Sequence, residues 1–414
     1  MDWSGFEPEA SGLQNRRSSG LIYQPTSREG GRTDLAFRAS RRPPRPPTAA
    51  AATKAIYAAR VAARVRLSAF SVVDVEDESA PSTRDRYAEL LDLAVAGDAA
   101  GLSTLWIAEH HFQAGGTCPA PPVLLAAIAM RTRRLGLGSL VSVLPFHNAI
   151  ELAEQYAMVD RLSAGRLRLG VGSGYLPQEF EGFGVDPATK RERFDREFDV
   201  LIAALEGREV SASAPGAVPV RLNLRPVQSP HPPVWIAVQR REAIPFVARR
   251  GASLALIPYA TLDDLDELAA EVREFREALP EGAHAEVAAA VHVYAGRRPE
   301  LARTAFERYL ASRRRTHSTF YEAKTERDPH AARPEALEAA DLAVFGTPAE
   351  VARRLGRYAE AGVDELLGIF DFGGLERLEA RRSVTALGKA WPPAARRSEK
   401  QGSKGLAPAS RAPT

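Results

Sequence analysis

The sequence predicts an α/β protein, a closed (β/α)8 barrel, and three observations lead there. Eight short apolar runs alternate with amphipathic stretches from Val65 onward. Each run is rich in Val, Ile and Leu and is bounded by Gly, Pro or charge, as strands buried on both faces are. The alternating region, 65–392, has the length of such a barrel with insertions. An open doubly wound sheet is the alternative.

The runs, in order, are RLSAFSVV (66–73), STLWIAE (103–109), LGLGSLVSVL (135–144) and RLRLGVG (166–172), then PVWIAVQ (233–239), SLALIPY (253–259), AEVAAAVHVY (285–294) and ELLGIFDF (365–372). Helices are expected between them. Residues 83–101 stop on Gly101 and residues 148–165 on Gly165, both C-cap signals. Residues 261–280 open on Thr261 as N-cap, with acids suited to the helix dipole. Residues 347–362 have Thr347 as cap, Pro348 at the first helical position and Gly362 as stop. Two connections are long: 206–232, rich in Pro, Ala and Gly, and 312–346, polar and expected to close over the barrel mouth as a lid.

The two ends have little to bury. SRRPPRPPTAAAATKA (40–55) and ARRSEKQGSKGLAPASRAPT (395–414) point to disordered extensions, 1–64 and 393–414. The first is Arg-rich, as organellar transit peptides are. It also contains Asp2, Glu7, Glu9, Glu29 and Asp34, and it shows no clear amphipathic helix. An overlong start and an address or interaction tail both remain open.

The pI near 9.0 misleads about partners. Residues 1–64 carry 11 basic against 5 acidic side chains, and 393–414 carry 5 against 1; with a net charge of +3 overall, 65–392 is −7. An acidic folded region argues against nucleic acid as partner. No apolar run reaches the ~20 residues of a transmembrane helix, so no membrane role is expected. The single cysteine, Cys118, excludes an internal disulfide framework and fits a cytoplasmic protein.

The run STLWIAE ends in Glu109, followed by His110 and His111. In a barrel the C-terminal strand ends face the active site, so these three belong at its mouth, where His serves proton transfer near neutral pH. Two loop histidines making structural hydrogen bonds are the bland alternative. A metal site is not expected, because adjacent side chains on extended backbone point apart and no third ligand is evident.

The run RLRLGVGSGY leaves Gly170, Gly172 and Gly174 around Ser173, ahead of Tyr175. Glycines allow close backbone approach, and exposed amides hold anions. A tight strand-to-loop turn explains them equally well. The spacing is neither a dinucleotide fingerprint nor a nucleophile elbow. Gln239, Arg240 and Arg241 follow the fifth run and are expected to start a helix. Arginines there oppose the helix dipole, so either a phosphate or solvent holds them.

Several stretches in order resemble the bacterial luciferase-like flavin-dependent monooxygenase family. They are LWIAEHHF, the span from Leu140 to Asp186, PHPPVWIAVQ and DELLGIFDFGG. The resemblance covers most of 65–392 and independently implies a (β/α)8 TIM barrel. It implies that reduced FMN and O2, through a flavin peroxy adduct, oxidise a small organic substrate, with the flavin supplying the chemistry. His110 is then the acid/base, oriented by Glu109 and His111. Leu140 and Val141 lie where the family packs an unusual peptide bond behind the flavin ring. Gly172 stands where the family has a cysteine near that ring, and Ser173 where it has a phosphate-binding arginine. The phosphate would instead fall to the amides of Gly174 and Tyr175, helped by Arg240 and Arg241, with Asn148 a further pocket residue. A separate flavin reductase and a homodimer are implied as partners. Two alternatives remain: hydride transfer with the deazaflavin F420, as in some relatives, and a non-catalytic flavin-binding subunit.

Overall fold

A computed structural model of the chain describes residues 65–75, 80–113, 115–212, 216–320 and 335–391. The expected terminal extensions lie outside these. Eight parallel strands close a ring: β1 (Arg66–Ser71), β2 (Thr104–Ile107), β3 (Gly136–Ser139), β5 (Leu167–Gly172), β6 (Val234–Ala237), β7 (Ser253–Leu256), β8 (Val287–Ala295) and β10 (Glu365–Ile369), with β10 paired to both β8 and β1. They coincide with the eight apolar runs, and the barrel excludes the open sheet.

Two further strands were not anticipated. β4 (Ser142–Val143) continues the third run after a break and pairs with β5. The break is the Leu140–Val141 bond, which is cis. β9 (Ala343–Gly346) pairs with the C-terminal half of β8, outside the ring.

The helices pack around the barrel: α1 (Ala80–Ala100), α2 (Pro121–Arg131), α3 (Ala149–Leu162), α4 (Pro177–Gly182), α5 (Lys190–Leu205), α6 (Ile244–Arg249), α7 (Leu265–Ala278), α8 (Pro299–Phe320), α9 (Pro348–Glu360) and α10 (Arg377–Ala390). Gly101, Gly165 and Gly362 follow α1, α3 and α9 with φ of 80°, 80° and 90°, the left-handed stop expected of them. Thr347 caps α9 in a capping box with Glu350. Thr261 does not cap α7. Asp264 does, accepting the N–H groups of Asp266 and Glu267, whereas Thr261 ends its own one-turn helix (Pro258–Thr261) and its hydroxyl donates to the Ile257 carbonyl at 3.2 Å.

The polar segment 312–346 is not one long loop. It contains the end of α8, a one-turn helix (Ala336–Ala339) and β9; residues 321–334, and with them most of the expected lid, lie outside the described residues. Within 206–232 the described residues form no helix or named strand. The buried Asp160 carboxylate at the end of α3 accepts the Val227 and Gln228 N–H groups at 2.7 and 3.0 Å and pins this connection to the barrel wall.

Side chains alternate across a strand, and paired residues share a face. The register therefore puts Arg66, Ser68 and Phe70 inside, with Glu365, Leu367 and Ile369 beside them. Two inward tryptophans, Trp106 and Trp235, meet edge to face with ring centroids 5.1 Å apart. Each faces a glycine on the neighbouring strand, Gly138 and Gly170. A Cβ at Gly138 would overlap the Trp106 ring, and one at Gly170 the Ser139 carbonyl. Size alternation between neighbouring strands thus fills the barrel as a packed core.

The floor of that core is ionic. The fully buried Glu365 accepts from Arg66, Arg168 (2.9 Å), Ser68 (2.6 Å) and Trp106 Nε1 (2.9 Å). Burial pushes its carboxyl up, and Arg168 and Arg66 outweigh that, taking it down to about 2. This cluster lies at the N-terminal strand ends, the face of a barrel that serves stability.

Candidate active site

The opposite, C-terminal face opens into a cavity of ≈ 530 Å³, within the ordinary range for ligand pockets. Its walls include Phe70, Ala108, Leu140, Val141, Gly172 and Ile257, all at or just beyond strand ends.

His110 lines the cavity. Its Nδ1 lies 3.0 Å from Glu179 Oε1 on α4. The same oxygen accepts the His111 backbone N–H at 3.0 Å. Glu179 is buried, with 1% exposure. A carboxylate accepts and does not donate, so His110 carries a proton on Nδ1, and in the neutral ring this bond selects the tautomer with the lone pair on Nε2. Behind it runs a second acid–histidine group. Glu109 accepts from His147 Nε2 at 2.8 Å and from His111 Nε2 at 3.1 Å. Burial pushes the Glu109 carboxyl up, but hydrogen bonds from His111 and His147 outweigh it and hold it below its ordinary value. Burial likewise lowers His147, and Glu109 more than restores it, so His147 is raised.

His111 is turned out of the cavity onto Phe112, Phe146 and Phe183. It therefore braces Glu109. Sequence reasoning missed Glu179 and His147, which are 69 and 38 residues from their partners.

The far wall is glycine-floored and cationic. Gly172, Ser173, Gly174 and Tyr175 all line the cavity. A Cβ at Gly172 would lie 2.6 Å from Val141, and one at Gly174 2.9 Å from Val143, so only glycine leaves this backbone bare. Gly174 also has φ +74°. Gln239 and Arg240 line the same wall, with Lys190 and Arg191 from the start of α5, which the sequence reading passed over. Lys190 is lowered by burial and then by the nearby Arg240 charge. Arg240 has no ion-pair partner among the described residues. Two cations facing one cavity suit an anion between them.

Two expected residues are elsewhere. Arg241 points outward and pairs with Glu274 on α7 at 2.6 Å. It opens a single 3-10 turn (Arg241–Ala243), and the α-helix starts only at Ile244. The dipole argument for a phosphate therefore does not apply to it. Asn148 caps α3, accepting the Ile150 N–H at 3.0 Å, and does not line the cavity. Among the described residues no group of three His, Cys, Asp or Glu could hold a metal ion. No helix among them is long and apolar enough to cross a membrane.

A family model described as luciferase-like monooxygenase matches residues 64–365. An uncharacterised protein, y4wF of Sinorhizobium fredii, is 39% identical over 198 residues, 47% of this chain and 57% of that protein. The 4-hydroxyprotoasukamycin monooxygenase of Streptomyces nodosus subsp. asukaensis is 40% identical over 119 residues, 29% of this chain and 32% of that protein. The chain thus spans between a third and just over half the length of these curated relatives. Among solved structures, the oxygenating constituent of 3,6-diketocamphane monooxygenase from Pseudomonas putida, in complex with FMN, superposes with a TM-score of 0.66. It is 19% identical, and the match covers 80% of this chain and 98% of that one.

Proposed function

The chain belongs to the luciferase-like monooxygenase family, and from that membership we propose that it uses reduced FMN and O2 to oxidise a small organic substrate. One observation carries the reading: a single cavity joins a carboxylate-oriented histidine to a bare, cationic backbone wall.

The residues fit the cofactor. Lys190 and Arg240, with the amides of Gly174 and Tyr175, would hold the phosphate; Leu140 and Val141 would back the ring; Gly172 would keep the approach open. Bound reduced FMN supplies the electrons that activate O2. His110, on the cavity wall, would move a proton through its Nε2, and Glu179 would fix its tautomer. Glu109, clamped by His111 and His147, holds the EHH turn in place. Phe70, Leu140 and Ile257 exclude water.

The fold-sharing protein from Pseudomonas putida is one constituent of its monooxygenase, which supports delivery of the reduced cofactor by a separate reductase. Exposed apolar side chains, Val123 and Met130 on α2 with Met158 and Leu162 on α3, support a homodimer through these helices. Light scattering of Met130→Glu/Met158→Glu should give a monomer where the wild type gives a dimer; a wild-type monomer would remove the interface.

The phosphate assignment is tested by affinity. Lys190→Ala and Arg240→Ala should each weaken FMN about tenfold, one charge-assisted contact, and leave riboflavin, which lacks the phosphate, unaffected. Equal losses for both ligands would refute it.

A further inference from the structure

Two adjacent arginines follow β6, and their side chains diverge. Arg240 lines the cavity; Arg241, one residue on, does not. The backbone explains the split. Arg240 has φ −128° and ψ 129°, an extended conformation in which neighbouring side chains leave opposite sides of the chain. Arg241 then opens the 3-10 turn that leads into α6. Whatever holds Arg241 outward therefore turns Arg240 inward.

Arg240 needs holding. It is an exposed residue with many rotamers, and ordering it costs entropy. Lys190 shares its wall, and the Arg240 charge is felt there, lowering Lys190 after burial has done so. Like charges on one wall repel, which favours Arg240 leaving the cavity. The counterweight is on α7. Arg241 Nε donates to Glu274 at 2.6 Å. Glu267, Glu271 and Glu274 follow one another at spacings of four and three, so they share one face of that helix. The hydrogen bond and charge of Glu274, then the charges of Glu271 and Glu267, outweigh desolvation and raise Arg241 above its ordinary value. Arg241 thus occupies the acidic face that would otherwise draw Arg240 out.

We propose that Arg241 is a positioning residue: its ion pair with Glu274 straps the turn after β6 to α7 and so keeps the Arg240 guanidinium in the cavity beside Lys190. Reading the group that Arg240 meets as the cofactor's phosphate rests on the assignment above; the coupling of Arg241 to Arg240 does not.

The test measures FMN and riboflavin affinity of the full chain as wild type, Arg241→Ala, Arg241→Lys, Glu274→Ala, Arg240→Ala and the double variant Arg240→Ala/Arg241→Ala. Flavin-free crystal structures of wild type and Arg241→Ala accompany it. The Arg241 side chain is 57% exposed, so its removal costs little packing. Arg241→Ala should weaken FMN about threefold, the scale of one exposed ion pair, and leave riboflavin unchanged. Arg241→Lys should recover most of that loss. Glu274→Ala should also weaken FMN, although loss of a negative charge would by itself tighten an anion. In the Arg240→Ala background the effect of Arg241→Ala should vanish, because no guanidinium remains to be positioned. The crystal structures should show Arg240 in the cavity in wild type and turned out of it in Arg241→Ala. A loss that persists in the Arg240→Ala background, or tighter FMN in Glu274→Ala, would make Arg241 a distant charge and overturn the strap. If Arg240→Ala binds FMN as wild type does, the phosphate assignment falls and the crystal structures decide: Arg240 turned out in Arg241→Ala upholds the strap, and Arg240 unmoved overturns it.

Discussion

Replacing His110 with alanine should lower substrate oxidation by ~10²–10⁴-fold, the range for one positioned acid/base. The affinity for FMN should stay close to wild type, because the cation-lined wall is untouched. Glu179→Gln should give a smaller loss in the same direction, since the amide still meets Nδ1 but can present an N–H in place of the acceptor. Steady-state turnover beside FMN titration separates the two effects. Unchanged turnover in His110→Ala would remove the assignment. A loss of FMN binding equal to the loss of turnover would make His110 a binding residue instead.

The second large effect is on stability. Glu365→Ala removes the buried acceptor shared by Arg66, Arg168, Ser68 and Trp106. Arg66 keeps Glu286 at 2.6 Å, while Arg168 loses its carboxylate. Breaking a buried ion pair from one side costs ~3–5 kcal/mol, which urea unfolding would read as a lower midpoint. The pH dependence has a definite sign. The folded carboxyl is lowered to about 2 from 4.5. Its stabilisation, of the order of 3 kcal/mol, is therefore present above the unfolded value and is lost as pH falls through the folded one. Wild type should lose stability between roughly pH 5 and pH 2 more steeply than the alanine variant. Identical acid profiles would show that this carboxylate does not carry the floor.

The barrel was legible because its strands announce themselves locally. Each ring strand falls within an apolar run bounded by Gly, Pro or charge, and Gly101, Gly165 and Gly362 mark helix ends within a few residues. β9 was not legible: AVFG is four residues long and sits in a polar stretch. It is a strand because β8 runs long enough to pair with it. The site divided along the same line. Glu109, His110 and the Gly172–Tyr175 turn stood out, since a strand end delivers them. Glu179 and His147 did not, because their contacts depend on how the chain closes. Signals for both were present: an acid in PQEF directly after the glycine turn, and a histidine after the LPF turn. Arg241 was misread for the converse reason. Its partner, Glu274, is 33 residues away, and local reasoning saw two arginines where only Arg240 turns inward.

The most direct measurement is an anaerobic titration of the full chain with reduced FMN and, in parallel, with reduced F420, followed by admission of oxygen. Saturable binding of reduced FMN, with reoxidation slower than that of the free cofactor, is the predicted result. Preference for F420, or binding of neither, would contradict the oxygenase account.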